Sequence, residues 1–341
     1  MAAPRNSGED SAQSSSDLPR RRRGLWPRLA LGTIVFGVFI AATAAYFAPY
    51  VDAELLAWLE PHAIVMPAPA KLGKGRMFDD YFAVEDLGHA TFAIGEPRYY
   101  QQNYSYLILG DERAVLFDSG SGTHDIGRVV ATLTQLPVTV IISHLHYDHF
   151  GGLVPFSRLA MIDTPETRAD LHDGRIKPTR YEYLGLIDHL TPPSIPVAEW
   201  LEPGSLVELG HRSLRVLSTP GHTPSSMALY DAATGWLFIG DFIYPTTLYA
   251  FLPGASLAAY QATASRLLDT LPPGTVLWTA HCCRKNEGVA APWLAMQDLR
   301  DLSRTLTEVR TGRAHAAGFY PRVFPVNAEM TLATGFSWNN R

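Results

Sequence analysis

Six consecutive residues, His144-Leu145-His146-Tyr147-Asp148-His149, follow at once on the apolar run Val138 to Ile142 and Ser143. A β-branched run of that length without polar alternation reads as a strand buried on both faces, so the sheet that holds it must be covered on both sides. The six residues then sit at the strand's carboxyl end, where α/β folds gather their polar loops. In an extended chain alternate residues face the same way, so His144 and His146 can grip one metal ion together. Asp148 and His149 are adjacent and diverge, which lets them reach a second ion beside the first. The chain has 12 His in 341 residues, and three of them with one Asp in this pattern point to a metal site rather than to unrelated core or surface histidines.

The surrounding pattern is consistent with such a sheet. Short β-rich runs cover Tyr81 to Val84, Thr91 to Ile94, Ser105 to Leu109 and Ala114 to Phe117, with Gly110-Asp111 as a hairpin turn between the last two. Ile126, Val129, Val130 and Leu133 have helical spacing and precede the buried strand. A second strand-helix-strand unit runs through Trp236 to Ile239, Leu257 to Leu271 and Thr275 to Trp278, and a further helix is expected over Trp293 to Arg310. Hairpins with two such units predict an α/β sandwich whose helices cover the sheet faces. Residues 173–199, with Pro178, Pro192, Pro193 and Pro196, fit neither period and read as an insertion. An apolar fraction of 47% can fill a large core, and a net charge of -5 argues against a nucleic-acid-binding face.

Further candidate ligands stand after other strands. His222 lies in Thr219-Pro220-Gly221-His222-Thr223-Pro224 after the apolar run Leu214 to Leu217, Asp241 follows the strand ending at Ile239, and His281 follows the one ending at Trp278. Five His and two Asp in all are enough for a pair of ions with a position left open for water. Cys282 and Cys283 directly follow His281; being adjacent, they form no disulfide framework. His172 and His189 border the insertion, where they could line a pocket.

Taken in order, Phe117-Asp118-Ser119-Gly120, HLHYDHFGG at His144 to Gly152, STPGHTPSS at Ser218 to Ser226, IGD at Ile239 to Asp241 and AHC at Ala280 to Cys282 resemble the metallo-β-lactamase superfamily, over roughly Phe82 to His281. The resemblance implies an αββα sandwich with a dinuclear site, usually of zinc, with iron or manganese as alternatives. It implies that His144, His146 and His222 hold one ion, that Asp148, His149 and His281 hold the other, that Asp241 bridges them and that Asp118 orients a ligand from behind. Zinc β-lactamases of one major subclass put Cys where Asp241 stands. The seven-ligand pattern is closer to glyoxalase II-like thioesterases and lactonases, although the tail after His281 has no obvious counterpart of the helical glutathione-gripping domain. Tyr244, three residues past Asp241, resembles the tyrosine that certain lactonases place over the substrate carbonyl. The expected catalytic residues are therefore Asp148 and Tyr244, acting on an ester, thioester or lactone of a small molecule. A β-lactam amide is the rival substrate, and a di-iron redox or sensory module the rival class.

The N-terminal residues carry a topology signal. Residues 1–28 read as a disordered tail ending in a basic block, Arg20 to Arg23 with Arg28, and Leu29 to Ala48 are twenty residues without a charge. At about 1.5 Å per residue such a helix spans the hydrocarbon core of a bilayer. The basic flank predicts a cytoplasmic N-terminus and a catalytic domain outside the cytoplasm, in the periplasm of a Gram-negative cell. A cleaved signal peptide is the alternative, since Ala42-Thr43-Ala44 resembles a cleavage site and Arg22-Arg23 a twin-arginine signal. The expected organisation is then a membrane anchor over 29–48, a linker over 49–76, the catalytic domain over 77–290, and a C-terminal helix and tail over 291–341 that complete it.

Overall fold

Side-chain alternation along two neighbouring strands sets the layers. Ala114–Phe117 and Val138–Ile141 pair in parallel; Leu116 and Val140 face one side of the sheet, and Val115, Phe117 and Ile141 face the other. The computed structural model in which this is seen describes residues 25–59, 66–67, 73–282 and 290–335. The Arg20 to Arg23 block and Cys283 lie outside the described residues.

The first sheet runs from Arg76–Met77 through Ala83–Gly88, Thr91–Gly95, Tyr104–Leu109, Ala114–Phe117, Val138–Ile141 and Leu159–Ile162 to Ile195–Leu201 and two short flanking strands. Helix α2 (Ile126–Leu133) is the crossover between the two parallel strands. The side chain of Asp125 caps it, accepting from the Gly127 N–H at 2.9 Å, and Ile126, Val129 and Val130 bury its apolar face against Leu116 and Val140. The second sheet is built from Leu206–Glu208, Ser213–Ser218, Met227–Asp231, Trp236–Phe238, Val276–Trp278 and Trp293–Ala295. Helices α3 (Leu257–Thr270) and α4 (Met296–Arg310) cover its outer face with Leu257, Tyr260, Leu267, Leu299, Leu302 and Leu306. Phe117, Ile141, Val216, Leu229 and Phe238 fill the space between the sheets. Helix, sheet, sheet, helix is thus the layer order, as the sequence predicts.

Two segments differ from expectation. Residues 173–199 are not wholly an insertion: Ile195–Leu201 is a strand of the first sheet, parallel to Leu159–Ile162. Pro196 inside it and Pro192 and Pro193 before it hid it, and Pro196 is tolerated because, among the described residues, the strand on that side is the two-residue Arg175–Ile176. The expected helix from Trp293 begins at Met296, since Trp293–Ala295 pairs with Val276–Trp278 and the Asp298 carboxylate accepts from the Ala295 N–H at 2.8 Å, fixing the helix start there.

A small third sheet was not foreseen. Thr247–Ala250 pairs in parallel with Thr331–Thr334, which pairs antiparallel with Arg322–Pro325. The C-terminal residues thereby support a strand that, as shown below, reaches the candidate site.

Helix α1 covers Leu25–Leu59, with Pro49 inside it, so helix continues well into the segment expected to be a linker. The residues up to Ala44 form a unit of their own, and the rest of the described chain a second. No single helix among the described residues is long and apolar enough to cross a membrane; Phe36–Ala44 and Tyr46–Leu55 pass the test of length and composition only as a pair.

Candidate metal centre

The strands of both sheets deliver their polar residues to one edge. Asp118 follows Phe117, Ser143 and His144 follow Ile141, His222 lies in the loop after Ser218, Asp241 comes just after Phe238, and His281 lies beyond Trp278. A one-turn helix, Tyr147–Phe150, then lifts Asp148 and His149 back over the same edge. All seven expected ligands are buried.

They form two groups. His144, His146 and His222 bring one nitrogen each within 4.8 Å of one another, as do the ligand atoms of Asp148, His149, Asp241 and His281. In the first group, His146 Nδ1 lies 2.9 Å from His144 Nε2 and 3.1 Å from His222 Nε2. In the second, Nε2 of His149 and of His281 stand 3.2 and 3.0 Å from Asp241 Oδ1, and each lies 3.4 Å from Asp148 Oδ2. Asp241 also faces the first group, its Oδ2 lying 3.7 Å from His222 Nε2.

The outward nitrogens of four imidazoles are held from behind. His149 Nδ1 donates to Asp118 Oδ2 at 2.9 Å, His222 Nδ1 to the Tyr249 carbonyl at 3.0 Å and His281 Nδ1 to the Gln101 carbonyl at 3.1 Å. His144 Nδ1 meets the Ser143 hydroxyl at 3.0 Å, and that hydroxyl donates to Asp118 Oδ2 at 2.9 Å. Each of these bonds fixes a ring's tautomer and turns its other nitrogen inward, the arrangement found behind metal-binding histidines. Asp118 thus serves both groups, one directly and one through Ser143. It takes a left-handed φ of +63°, a conformation rare for a residue with a Cβ, and the Ser143 N–H holds it there with a 2.7 Å bond to Oδ1.

Electrostatics divide the groups in the same way. Burial, aided by the neighbouring imidazoles, holds His144 well below the ordinary histidine range and brings His146 down to about 3; burial also lowers His222. Burial would lower His149 and His281 too, but the surrounding carboxylates outweigh it and raise both. Asp241 is held well below the usual carboxylate range, burial notwithstanding, by His281 and His149. Before any ion is considered, then, one group is three neutral imidazoles and the other a cluster of opposite charges.

His149 Nε2 and Asp241 Oδ1 are buried and, although 3.2 Å apart, are not aligned in a hydrogen bond. Unsatisfied buried polar atoms are rare and destabilising, and a cation between the converging nitrogens and oxygens would satisfy both. The donor set, five imidazoles and two carboxylates without thiolate, fits a pair of borderline divalent ions.

Of the supporting residues, sequence reasoning found Asp118 and missed the rest. Ser143 stands directly before His144 and could have been noticed; the Gln101 and Tyr249 carbonyls carry no side-chain signal. Tyr244 is buried, its ring centroid 5.0 Å from that of His281, and the Tyr249 backbone hydrogen-bonds its hydroxyl. Cys282 is buried between the two sheets. Neither His172 nor His189 belongs to either group.

Residues 98–281 match the family model described as the metallo-beta-lactamase superfamily. Among curated proteins, the chain is 28% identical over 225 residues to acyl-coenzyme A thioesterase MBLAC2 of Homo sapiens, covering 58% of this chain and 79% of that one. It is 25% identical over 185 residues to a hydroxyacylglutathione hydrolase of Bdellovibrio bacteriovorus, covering 53% and 64%. Among solved structures, the BLEG-1 B3 metallo-beta-lactamase is similar at 23% identity and a TM-score of 0.46, over 62% of this chain and 98% of that one. With the family's motifs matched across more than half its length, the chain belongs to the metallo-beta-lactamase superfamily.

Proposed function

We propose that this protein is a dinuclear zinc hydrolase of acyl thioesters or related esters and lactones, held to a membrane by α1 with its catalytic domain outside the cytoplasm. The observation that carries the hydrolytic reading is the Asp241 carboxylate, which stands between the two groups of imidazoles: both its oxygens lie 3.0 Å from His281 Nε2, and Oδ2 also lies 3.7 Å from His222 Nε2. In this reading His144, His146 and His222 would hold one ion and Asp148, His149 and His281 the other, with Asp241 placed to serve both. Such ions supply a water whose pKa falls from about 15.7 towards 7 and a positive field at the scissile carbonyl.

The chain's own residues do the rest. Asp118, Ser143 and the Gln101 and Tyr249 carbonyls keep the imidazoles facing inward, so that little reorganisation accompanies turnover. Asp148 and Asp241, kept ionised by the histidines around them, stand ready to accept hydrogen bonds from the attacking water. The Tyr244 hydroxyl, with the Tyr249 backbone bonded to it, keeps its own proton to donate towards the substrate. Two relatives are named for acyl-coenzyme A and hydroxyacylglutathione, both acyl groups on a thiol carrier, which favours the thioester within the broader class.

Elemental analysis of the purified protein, followed by turnover measurements on a panel of thioester, ester, lactone and β-lactam substrates, tests this. Two zinc ions per chain and chelator-sensitive thioester cleavage are expected. Two irons without hydrolysis, or a β-lactam turned over far faster than any thioester, would overturn it.

A further inference from the structure

Phe47, Val51, Leu55 and Trp58 recur along α1 at helical spacing and fall on one stripe, yet they are 52%, 61%, 45% and 79% exposed. The helix does have a buried face here, but it is the other one. Ala53 is fully buried and joins the core cluster of Tyr183 and Leu184, and the Tyr50 ring packs edge-on against Tyr181 at 4.8 Å. Glu54 accepts from Arg180 Nη2 at 2.9 Å and from the Tyr181 hydroxyl at 3.1 Å. That ion pair is exposed and worth little by itself; the packing of Ala53 and Tyr50 fixes which face of the helix turns outward.

The partner of α1 in these contacts is the short helix Arg180–Tyr183. The Tyr183 ring lies 6.3 Å from those of Tyr147 and Phe150, the residues flanking Asp148 and His149. A few residues on, Asp188 accepts from the Tyr99 hydroxyl and, at 3.4 Å, from that of Tyr100, which in turn meets the Tyr147 hydroxyl at 2.6 Å. Residues 180–188 are therefore a layer tied to α1 on one side and to Tyr147, the neighbour of Asp148, on the other.

What covers the apolar stripe follows from continuity along the chain. Phe47 is the penultimate residue of the uncharged run Leu29 to Ala48, and the stripe extends that run by nearly three turns to Trp58, a residue type favoured at membrane interfaces. We propose that this part of α1 is an interfacial helix, its stripe set into the bilayer surface and its opposite face gripping the layer of residues 180–188, so that the centre draws amphiphilic acyl thioesters or esters from the membrane. The two faces are separated by a helix about 10 Å across, so the layer stands roughly a headgroup's depth from the acyl chains. The inference rests on the anchor and hydrolase readings above and adds to them where the substrate comes from.

The full chain is reconstituted in vesicles of phosphatidylcholine and phosphatidylglycerol. A fluorophore attached at Leu55→Cys is expected to be quenched by nitroxides on the lipid chains. The double variant Val51→Asp/Leu55→Asp should still sediment with vesicles and hydrolyse a soluble butyryl thioester like the wild type. Its turnover of a vesicle-borne palmitoyl thioester should fall about tenfold, as two buried apolar side chains are lost from the interface. Three results would overturn the proposal: a probe untouched by lipid nitroxides, a probe shielded instead by a second copy or another protein, or an unchanged palmitoyl-to-butyryl ratio in the double variant. Release of the wild-type protein from vesicles by an alkaline wash would remove the anchor reading and the proposal with it. A wild type that hydrolyses neither thioester would remove the hydrolase reading and the proposed substrate, while lipid quenching still decides the membrane contact.

Discussion

Nδ1 of His149 lies 2.9 Å from Oδ2 of Asp118, a residue 31 positions earlier on a different strand end. The same oxygen receives the Ser143 hydroxyl, and that hydroxyl meets His144 of the other ligand group. One carboxylate therefore sets the orientation of an imidazole in each half of the centre, and it does so from a strained backbone that the Ser143 N–H holds in place.

Asp118→Asn should weaken metal binding about ten- to a hundredfold, the usual consequence of disturbing the partner behind a metal-binding histidine. Competition against a graded chelator, read by metal content, measures this. Ser143→Ala should have a smaller effect, confined to the His144 side, because His149 keeps its direct partner. Equal affinities in wild type and Asp118→Asn would show that the ring orientations need no support from behind.

His146→Ala should lower both metal content and activity, since Nδ1 of this residue faces the inward nitrogens of both His144 and His222. Chelator treatment of the wild type should abolish activity, and added zinc should restore it. Full metal occupancy in the variant, or activity that survives the chelator, would count against the ligand set.

A buried carboxylate away from the ligands governs a separate pH effect. Glu96 accepts from the Ser121 N–H and hydroxyl, the Asn103 amide and the Tyr81 hydroxyl, and Asn103 also donates to the Asp148 carbonyl. Burial outweighs these bonds and raises its pKa to about 7. The folded state then prefers the protonated acid, so its contribution to stability is fully present below the unfolded value near 4.5 and is lost as pH rises through about 7. The difference amounts to about 3 kcal/mol. Glu96→Gln should flatten that fall in melting temperature between pH 5 and 8, whatever its uniform effect at all pH values; an unchanged slope would assign the pH dependence to other groups.

The layers and the seven residues of the two clusters were legible because period and position carry them: apolar runs mark strands, and polar residues after strand ends mark the candidate site. Ile195–Leu201 was not, since Pro196 and the prolines just before it erase the strand signature, and only the parallel pairing to Leu159–Ile162 reveals the strand. The strand Thr247–Ala250 depends on Thr331–Thr334, more than 80 residues on, and short runs with such distant partners leave no local trace. The groups behind His222 and His281 are backbone carbonyls, which any residue supplies. The stripe of α1 was not read, because the segment after Ala48 was expected to be a linker, and the packing of Ala53 and Tyr50 is what shows which face of the helix turns outward.

Tyr244 divides a catalytic reading from a structural one. Its ring packs against His281 and its hydroxyl is bonded to the backbone of Tyr249, whose carbonyl accepts from His222. Tyr249 pairs with Ala333, so the position of both groups depends on the C-terminal strand. If the hydroxyl donates to the substrate, Tyr244→Phe should keep both metals and lose about tenfold in turnover, less than the full 10² to 10³ for a sole donor because the metal field shares the load. If the hydroxyl only ties Tyr249 in place, the same substitution should cost about 1 kcal/mol of stability and leave turnover nearly unchanged. Turnover, metal content and melting temperature measured on one preparation separate the two, and unchanged turnover with lowered stability would make Tyr244 a packing residue.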